Sequence, residues 1–207
     1  MPAQKKVDKW KLKKWFSVHA PSVFNNVIIG EIPANDENSA LGRNITVALD
    51  TITHNPQHAY TNVIFKTVEV TGTTANTRLV EIFELYSYVR SLVRRYRSIA
   101  ASVLPAASKD GTQMVVKLLA VTSQRTTHSR ILGIRKEMNS FVAEYCKNND
   151  FAAIVKAIVE GSFQNEIANK VEHITPLFKI EVRKLEIKIP TENPNPAEDK
   201  AKKPESA

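Results

Sequence analysis

The sequence has one cysteine, Cys146, in 207 residues. A lone thiol closes no bridge within the chain, so a disulfide scaffold is excluded and a reducing compartment, the cytoplasm, is expected. Long apolar runs are missing too: no stretch approaches the ~18 residues a membrane-spanning helix requires. The basic N-terminal segment lacks the apolar core of a secretory signal, so secretion is not expected. Glycine is scarce, with six residues standing singly at 30, 42, 72, 111, 133 and 161. Without clustered glycines there is neither a P-loop nor a dinucleotide-binding fingerprint. His54 and His58 flank Pro56 with no Cys or carboxylate beside them, and His19, His128 and His173 are scattered. That spacing supports no metal site. No acid–base pair or nucleophile triad is visible, and Cys146 reads as a packing residue near an apolar helix stripe. The chain is therefore expected to be a non-enzyme, with no cofactor, no small-molecule substrate and no membrane partner.

What is there is a foldable composition with segregated charge. The chain is 43% hydrophobic and 24% charged, as in a globular domain. A body of this size buries roughly 70% of its unfolded surface and needs no staple. The net charge of +8 is uneven. Residues 1–24 hold six Lys and one Asp, and residues 86–135 hold nine Lys or Arg against Asp110 alone. The remainder is mildly acidic. Two basic blocks so depleted of acid predict contact with a polyanion, where ordinary solubilising charge would be mixed.

The patterning predicts an α+β fold: a small, curled, barrel-like sheet with packed C-terminal helices. Runs rich in Val, Ile, Thr and Phe at 15–20, 27–32, 44–52, 63–71 and 78–85 read as strands between turn-forming residues. In the last of these Leu79, Glu81, Phe83 and Leu85 alternate with Val80, Ile82 and Glu84, which suggests a strand covered on both sides. A short helix is predicted over 88–95, and strands over 98–106 and 114–122. The clearest helix is predicted over 128–147, with the stripe Ile131, Ile134, Met138, Phe141, Val142 and Tyr145. Asn148-Asn149-Asp150 ends it and is placed to cap a helix over 151–159. A third helix over 162–173 and a closing strand over 178–189 complete the body. The expected organisation is a basic arm at 1–14, one domain at 15–189 and a disordered tail at 190–207, where four prolines and no large apolar residue occur.

Arginine carries the functional signal. On the predicted helix Arg90 and Arg94 share a face opposite Val89, Leu92 and Val93, with Arg95 beside them and Arg97 just beyond. Four guanidinium groups in eight residues, with no acid among them, suit phosphate oxygens in geometry and charge. A second cluster, Gln124-Arg125-Thr126-Thr127-His128-Ser129-Arg130, mixes arginine with hydroxyl and amide donors at a predicted helix N-terminus. Arg135 lies at the edge of the apolar stripe and is either an RNA ligand or structural. The arm offers Lys5, Lys6, Lys9, Lys11, Lys13 and Lys14 as a lysine comb, with Trp10 and Trp15 as stacking groups. Trp15 could equally pack in the core, as Phe16 is expected to. No zinc finger, basic zipper or RNP aromatic motif appears, so an RNA- or DNA-binding protein working through arms and loops is expected.

One family shares these features in order along the chain. Lys13-Lys14-Trp15-Phe16-Ser17-Val18-His19-Ala20-Pro21, Phe24 and Ile29-Gly30-Glu31 resemble the opening of the archaeal and eukaryotic small-subunit ribosomal protein family S-three-A-e, also called S-one-e. The likeness continues at Leu41-Gly42-Arg43, Arg90-Ser91-Leu92-Val93-Arg94-Arg95, Arg125, Ile134-Arg135-Lys136, Glu160-Gly161, Pro176-Leu177 and Glu181-Val182-Arg183-Lys184. The resemblance implies a structural role on the platform of the small ribosomal subunit. It implies contacts with ribosomal RNA, with neighbouring ribosomal proteins and with messenger RNA near its exit. It adds Arg43 and Lys136 to the RNA-facing residues. Leu85-Tyr86-Ser87 departs from the family's Thr-Arg-Asp before Arg90, which removes one arginine and a helix cap. A free nucleic-acid-binding regulator or RNA chaperone outside the ribosome is the alternative role.

Overall fold

Eight runs of β-branched and aromatic residues become strands in a computed structural model, which describes Trp10 and residues 13–188. Lys5, Lys6, Lys9, Lys11 and the expected tail lie outside the described residues. The strands are β1 (Lys14–His19), β2 (Ile28–Ala34), β3 (Asn44–Ala48), β4 (Thr61–Thr71), β5 (Thr74–Glu84), β6 (Ile99–Ala107), β7 (Gln113–Thr122) and β8 (Leu177–Ile187). The helices are α1 (Glu37–Ala40), α2 (Leu49–Thr53), α3 (Tyr86–Leu92), α4 (His128–Asn148), α5 (Phe151–Glu160) and α6 (Ser162–Val171).

The long strand β5 organises a mixed sheet. Along one side it pairs antiparallel with β4, which in turn pairs with β3. Its start, Thr74–Asn76, pairs in parallel with β1, and its end, Glu81–Phe83, pairs antiparallel with β8. The order runs β2-β1-β5-β8-β7-β6. The α+β class is as expected, but the barrel is not closed. Among the described residues β2, β3 and β6 each pair with one neighbour only.

The main core lies between this sheet and the C-terminal helices. Ile134, Met138, Phe141, Val142 and Cys146 from α4 meet Ile154, Phe163, Ile167 and sheet residues such as Phe65, Leu79 and Leu185. Smaller clusters lie under β1, β2 and α1, and between α3 and β7. The α4 stripe is the expected one, with Ile131 and Tyr145 at its partly buried margins. Cys146 is buried as expected, and burial pushes its thiol up to about 11.

Three local readings are corrected. Residues 44–52 are not one strand, because the chain turns helical at Leu49. Leu49 and Ile52, three apart, both enter the core, which strand geometry would forbid. The two-sided alternation in β5 is instead a bulge. Ile64 pairs with Glu81 and Phe65 with Leu79, which leaves Val80 extra. The phase shift lets Leu79 and Ile82 face the same core. Asp150 sits at the N-cap of α5 without capping it; Asp110, from the β6–β7 turn, accepts from the Phe151 N–H at 2.9 Å. Gly161, at φ +82°, joins α5 to α6 in a left-handed conformation that glycine adopts without strain.

Candidate nucleic-acid interface

The arginine segment is shaped by where α3 stops. Val89 and Leu92 bury one face of α3 against Leu119 and Val121. Val93 then adopts an extended conformation and is 41% exposed. Arg94, Arg95 and Arg97 therefore lie on the loop into β6, and the helix face expected for Arg90 and Arg94 does not form. Two side chains are anchored within this segment. Arg94 Nε donates to the Ser91 carbonyl at 3.4 Å. Arg97 donates to the Leu92 carbonyl at 3.4 Å and lies 3.5 Å from the Phe178 ring centroid. Arg90 lies 5.4 Å from the Tyr86 ring centroid, and Arg95 is exposed.

Antiparallel pairing brings the second cluster alongside. β6 begins where β7 ends, since Ile99 pairs with Val121. The Ser98 N–H donates to Thr122 Oγ1 at 2.9 Å, and the Thr126 N–H donates to Ser98 Oγ at 3.0 Å. The loop 123–127 is thereby tied to the loop 93–98. The start of β8 joins them, with the Ser123 N–H donating to the Pro176 carbonyl at 3.0 Å. Arg90, Arg94, Arg95 and Arg97 thus share one end of the sheet with Arg125 and with Arg130 in the first turn of α4. Arg125 and Arg130 are exposed. Arg135 is half-buried along α4, and its Nε has no hydrogen-bond partner among the described residues. Lys136 beside it is exposed.

The arm-proximal residues form a separate group. Alternation along β1 buries Phe16 and Val18 and turns Trp15 to the opposite face, while Lys14, at the start of the strand, is exposed. Trp15 is 55% exposed, so it does not pack in the core. Trp10 meets it edge-on at 6.4 Å between ring centroids, and Lys13 Nζ sits 4.1 Å from the Trp10 centroid. Arg43 is exposed and donates to the Pro33 carbonyl at 2.9 Å; Pro33 is the strand partner of Trp15. Lys13, Lys14, Trp15 and Arg43 therefore converge on the β1–β2 pair.

Sequence reasoning missed the aromatic surfaces at the arginine end. Tyr86, Tyr96 and Phe178 are 63%, 83% and 48% exposed. The signal was present in Arg94-Arg95-Tyr96-Arg97, an aromatic between cations. It also missed a polar cluster under the same end of the sheet. Tyr88 OH donates to Glu181 at 2.9 Å, Lys179 donates to Tyr88 and pairs with Glu181, and Tyr60 stacks on Tyr88 at 4.8 Å. Burial, then the neighbouring Glu181 carboxylate, pushes the Glu84 carboxyl up to about 9, so it is neutral at physiological pH. Burial alone would depress Lys179, but hydrogen bonds to Glu181 and Tyr88 more than offset it and hold the ammonium above its ordinary range. Residues of this cluster line an open cavity of about 750 Å³. Among the described residues no three His, Cys, Asp or Glu side chains gather as metal ligands.

Comparison with known proteins decides the family. The sequence pattern of the Ribosomal S3Ae family matches residues 2–190. The chain belongs to the Ribosomal S3Ae family. It is 36% identical over 180 residues to the small ribosomal subunit protein eS1 of Sulfurisphaera tokodaii, covering 87% of this chain and 93% of that one. The eS1 protein of Staphylothermus marinus is 35% identical over 202 residues, 95% of each chain. That of Sulfolobus acidocaldarius is 35% identical over 184 residues, 87% of this chain and 92% of the relative. The S3Ae match spans both basic groups and the whole sheet, so the family resemblance expected from short motifs extends to the full described body.

Proposed function

We propose that the chain is a structural, non-enzymatic constituent of the small ribosomal subunit. It works in the cytoplasm, binding ribosomal RNA and neighbouring ribosomal proteins on the platform. Messenger RNA near its exit is a further expected contact. The observation that carries the RNA reading is the meeting of two sequence-distant arginine clusters at one end of the sheet. Arg90, Arg94, Arg95, Arg97, Arg125 and Arg130 supply guanidinium groups with no carboxylate within ion-pair distance among the described residues. Such an array is self-repelling until phosphates lie against it. Lys13, Lys14, Trp15 and Arg43 form a second contact, which the arm 1–14 extends from the body 15–189. Arg135 and Lys136 continue the first along α4. The names of the relatives support the ribosomal setting.

Sedimentation of the source cell's lysate through sucrose, with this chain followed in each fraction, tests the proposal. Co-migration with small subunits and whole ribosomes through a moderate-salt wash is expected. Retention at the top of the gradient would instead favour a free RNA-binding regulator.

A further inference from the structure

We propose that Tyr96 is a stacking platform for an unpaired RNA base, an assignment that rests on the RNA-binding reading above. At 83% exposure it is the most solvent-exposed of the large apolar and aromatic residues described. Its backbone φ is +66°, a left-handed conformation that glycine adopts freely and a bulky residue adopts only with strain. Folding alone would favour glycine here, since the ring covers nothing in any of the three apolar clusters.

The loop nevertheless fixes the backbone that presents the ring. The Arg97 N–H donates to the Arg94 carbonyl at 3.3 Å across Tyr96. The Arg97 side chain is fixed on Phe178 and on the Leu92 carbonyl. Ser98 is bonded to Thr122. Pinned on both sides, Tyr96 is presented with little ordering left to do on binding. Arg94 and Arg95 precede it directly, so a phosphate held by either brings the attached nucleotide near the ring. Bases inside an A-form duplex are already stacked on one another and inaccessible to an inserted ring. The geometry therefore suits a looped-out, bulged or terminal nucleotide, whichever base it carries.

The test uses the full chain with a single-stranded, adenine-rich RNA carrying one 2-aminopurine, whose fluorescence falls on stacking, and a duplex of equal length. Tyr96→Gly should weaken single-strand binding about tenfold and abolish the fluorescence loss, in line with the usual contribution of one stacked base. Duplex affinity, the salt slope and the melting temperature should be unchanged or, for the last, raised. Tyr96→Phe should behave as the parent. Tyr96→Asn, which also tolerates a positive φ, repeats the test should glycine loosen the loop. Unchanged single-strand affinity and fluorescence in Tyr96→Gly, or an equal loss on duplex, would overturn the assignment. So would normal RNA binding combined with failure to enter subunits, which would give the ring to a protein neighbour. Unchanged RNA binding on replacing Arg94 and Arg95 would instead strike at the broader reading.

Discussion

The arginine end and the exposed face of the sheet treat charge in opposite ways. On the sheet, lysines pair. Lys184 lies 2.8 Å from both Glu81 and Glu186, and Lys117 lies 2.7 Å from Glu186, linking β5, β8 and β7. Lys109, Lys170 and Lys179 also have carboxylate partners. Among the described residues every ion pair uses lysine, and none uses arginine. Guanidinium matches a carboxylate better than ammonium does, so internal pairing would draw on arginine first. Arg43, Arg90, Arg94 and Arg97 are instead bonded to carbonyls or laid on rings, contacts that orient a guanidinium without neutralising it. The comparison separates cations that serve the fold from cations left unneutralised, which the proposed function assigns to a partner.

The largest effect should come from breaking the held set. Replacing Arg94 and Arg95 together by alanine should lower affinity for ribosomal RNA by about tenfold at moderate salt. It should also reduce the slope of log affinity against log salt by roughly two if each meets one phosphate. The melting temperature should stay within about 1 °C, because among the described residues the Arg95 side chain has no hydrogen-bond or ion-pair partner and that of Arg94 only one long hydrogen bond. Filter binding across a salt series, with a thermal melt on the same sample, measures both. A large fall in melting temperature with the salt slope intact would place these arginines with the fold.

Much of this contrast was legible in the sequence. All eight strands, the three C-terminal helices and the depletion of acid around the arginines follow from period and composition. What was not legible depends on contacts between distant segments. The turn from β3 into α2 is decided by burial of Leu49 and Ile52, and the β5 phase by a bulge against β4. The end of α3 at Leu92 frees Arg94 from the helix face its spacing implied. The joining of the two arginine clusters needs the β6–β7 register, which no local pattern encodes. The Glu84–Glu181 contact likewise needs β5 and β8 side by side.

That contact sharpens the comparison from the side of the fold. Glu84 ionises in the unfolded chain near its ordinary value and in the native chain only near 9. The native state therefore binds one more proton between those limits, and stability falls as pH rises through that window. Glu84→Gln keeps the shape while removing the titration. It should match the parent below about pH 4.5, the ordinary carboxyl value, and exceed it increasingly toward pH 9. Thermal melts of the two proteins across pH 4 to 9 give the difference directly. A gap that does not widen with pH would place the Glu84 carboxyl in an ordinary, solvated setting. RNA affinity should not change, since no arginine of the basic end touches this carboxyl.

The smallest effect tests the paired lysines. Strands β5 and β8 share only three residue pairs, and Lys184 spans them through Glu81 while also pairing with Glu186 on its own strand. Lys184→Ala should cost about 0.5–1 kcal/mol, the range of partly exposed ion pairs, and the cost should shrink at high salt. Hydrogen bonds from Lys117 and Lys184 hold Glu186 below the usual carboxylate range, while Glu186 and Glu81 hold Lys184 above its own. The contribution is thus present at neutral pH. It fades as pH falls through the lowered value of Glu186, or rises through the raised value of Lys184. Glu186 keeps Lys117 in the variant, so part of the acid-side loss remains and the alkaline-side loss should vanish. Denaturant unfolding at low and high salt measures the cost, and RNA affinity measured beside it should stay unchanged. A variant that unfolded normally but bound RNA less tightly would place Lys184 among the held cations and erase the division between the two regions.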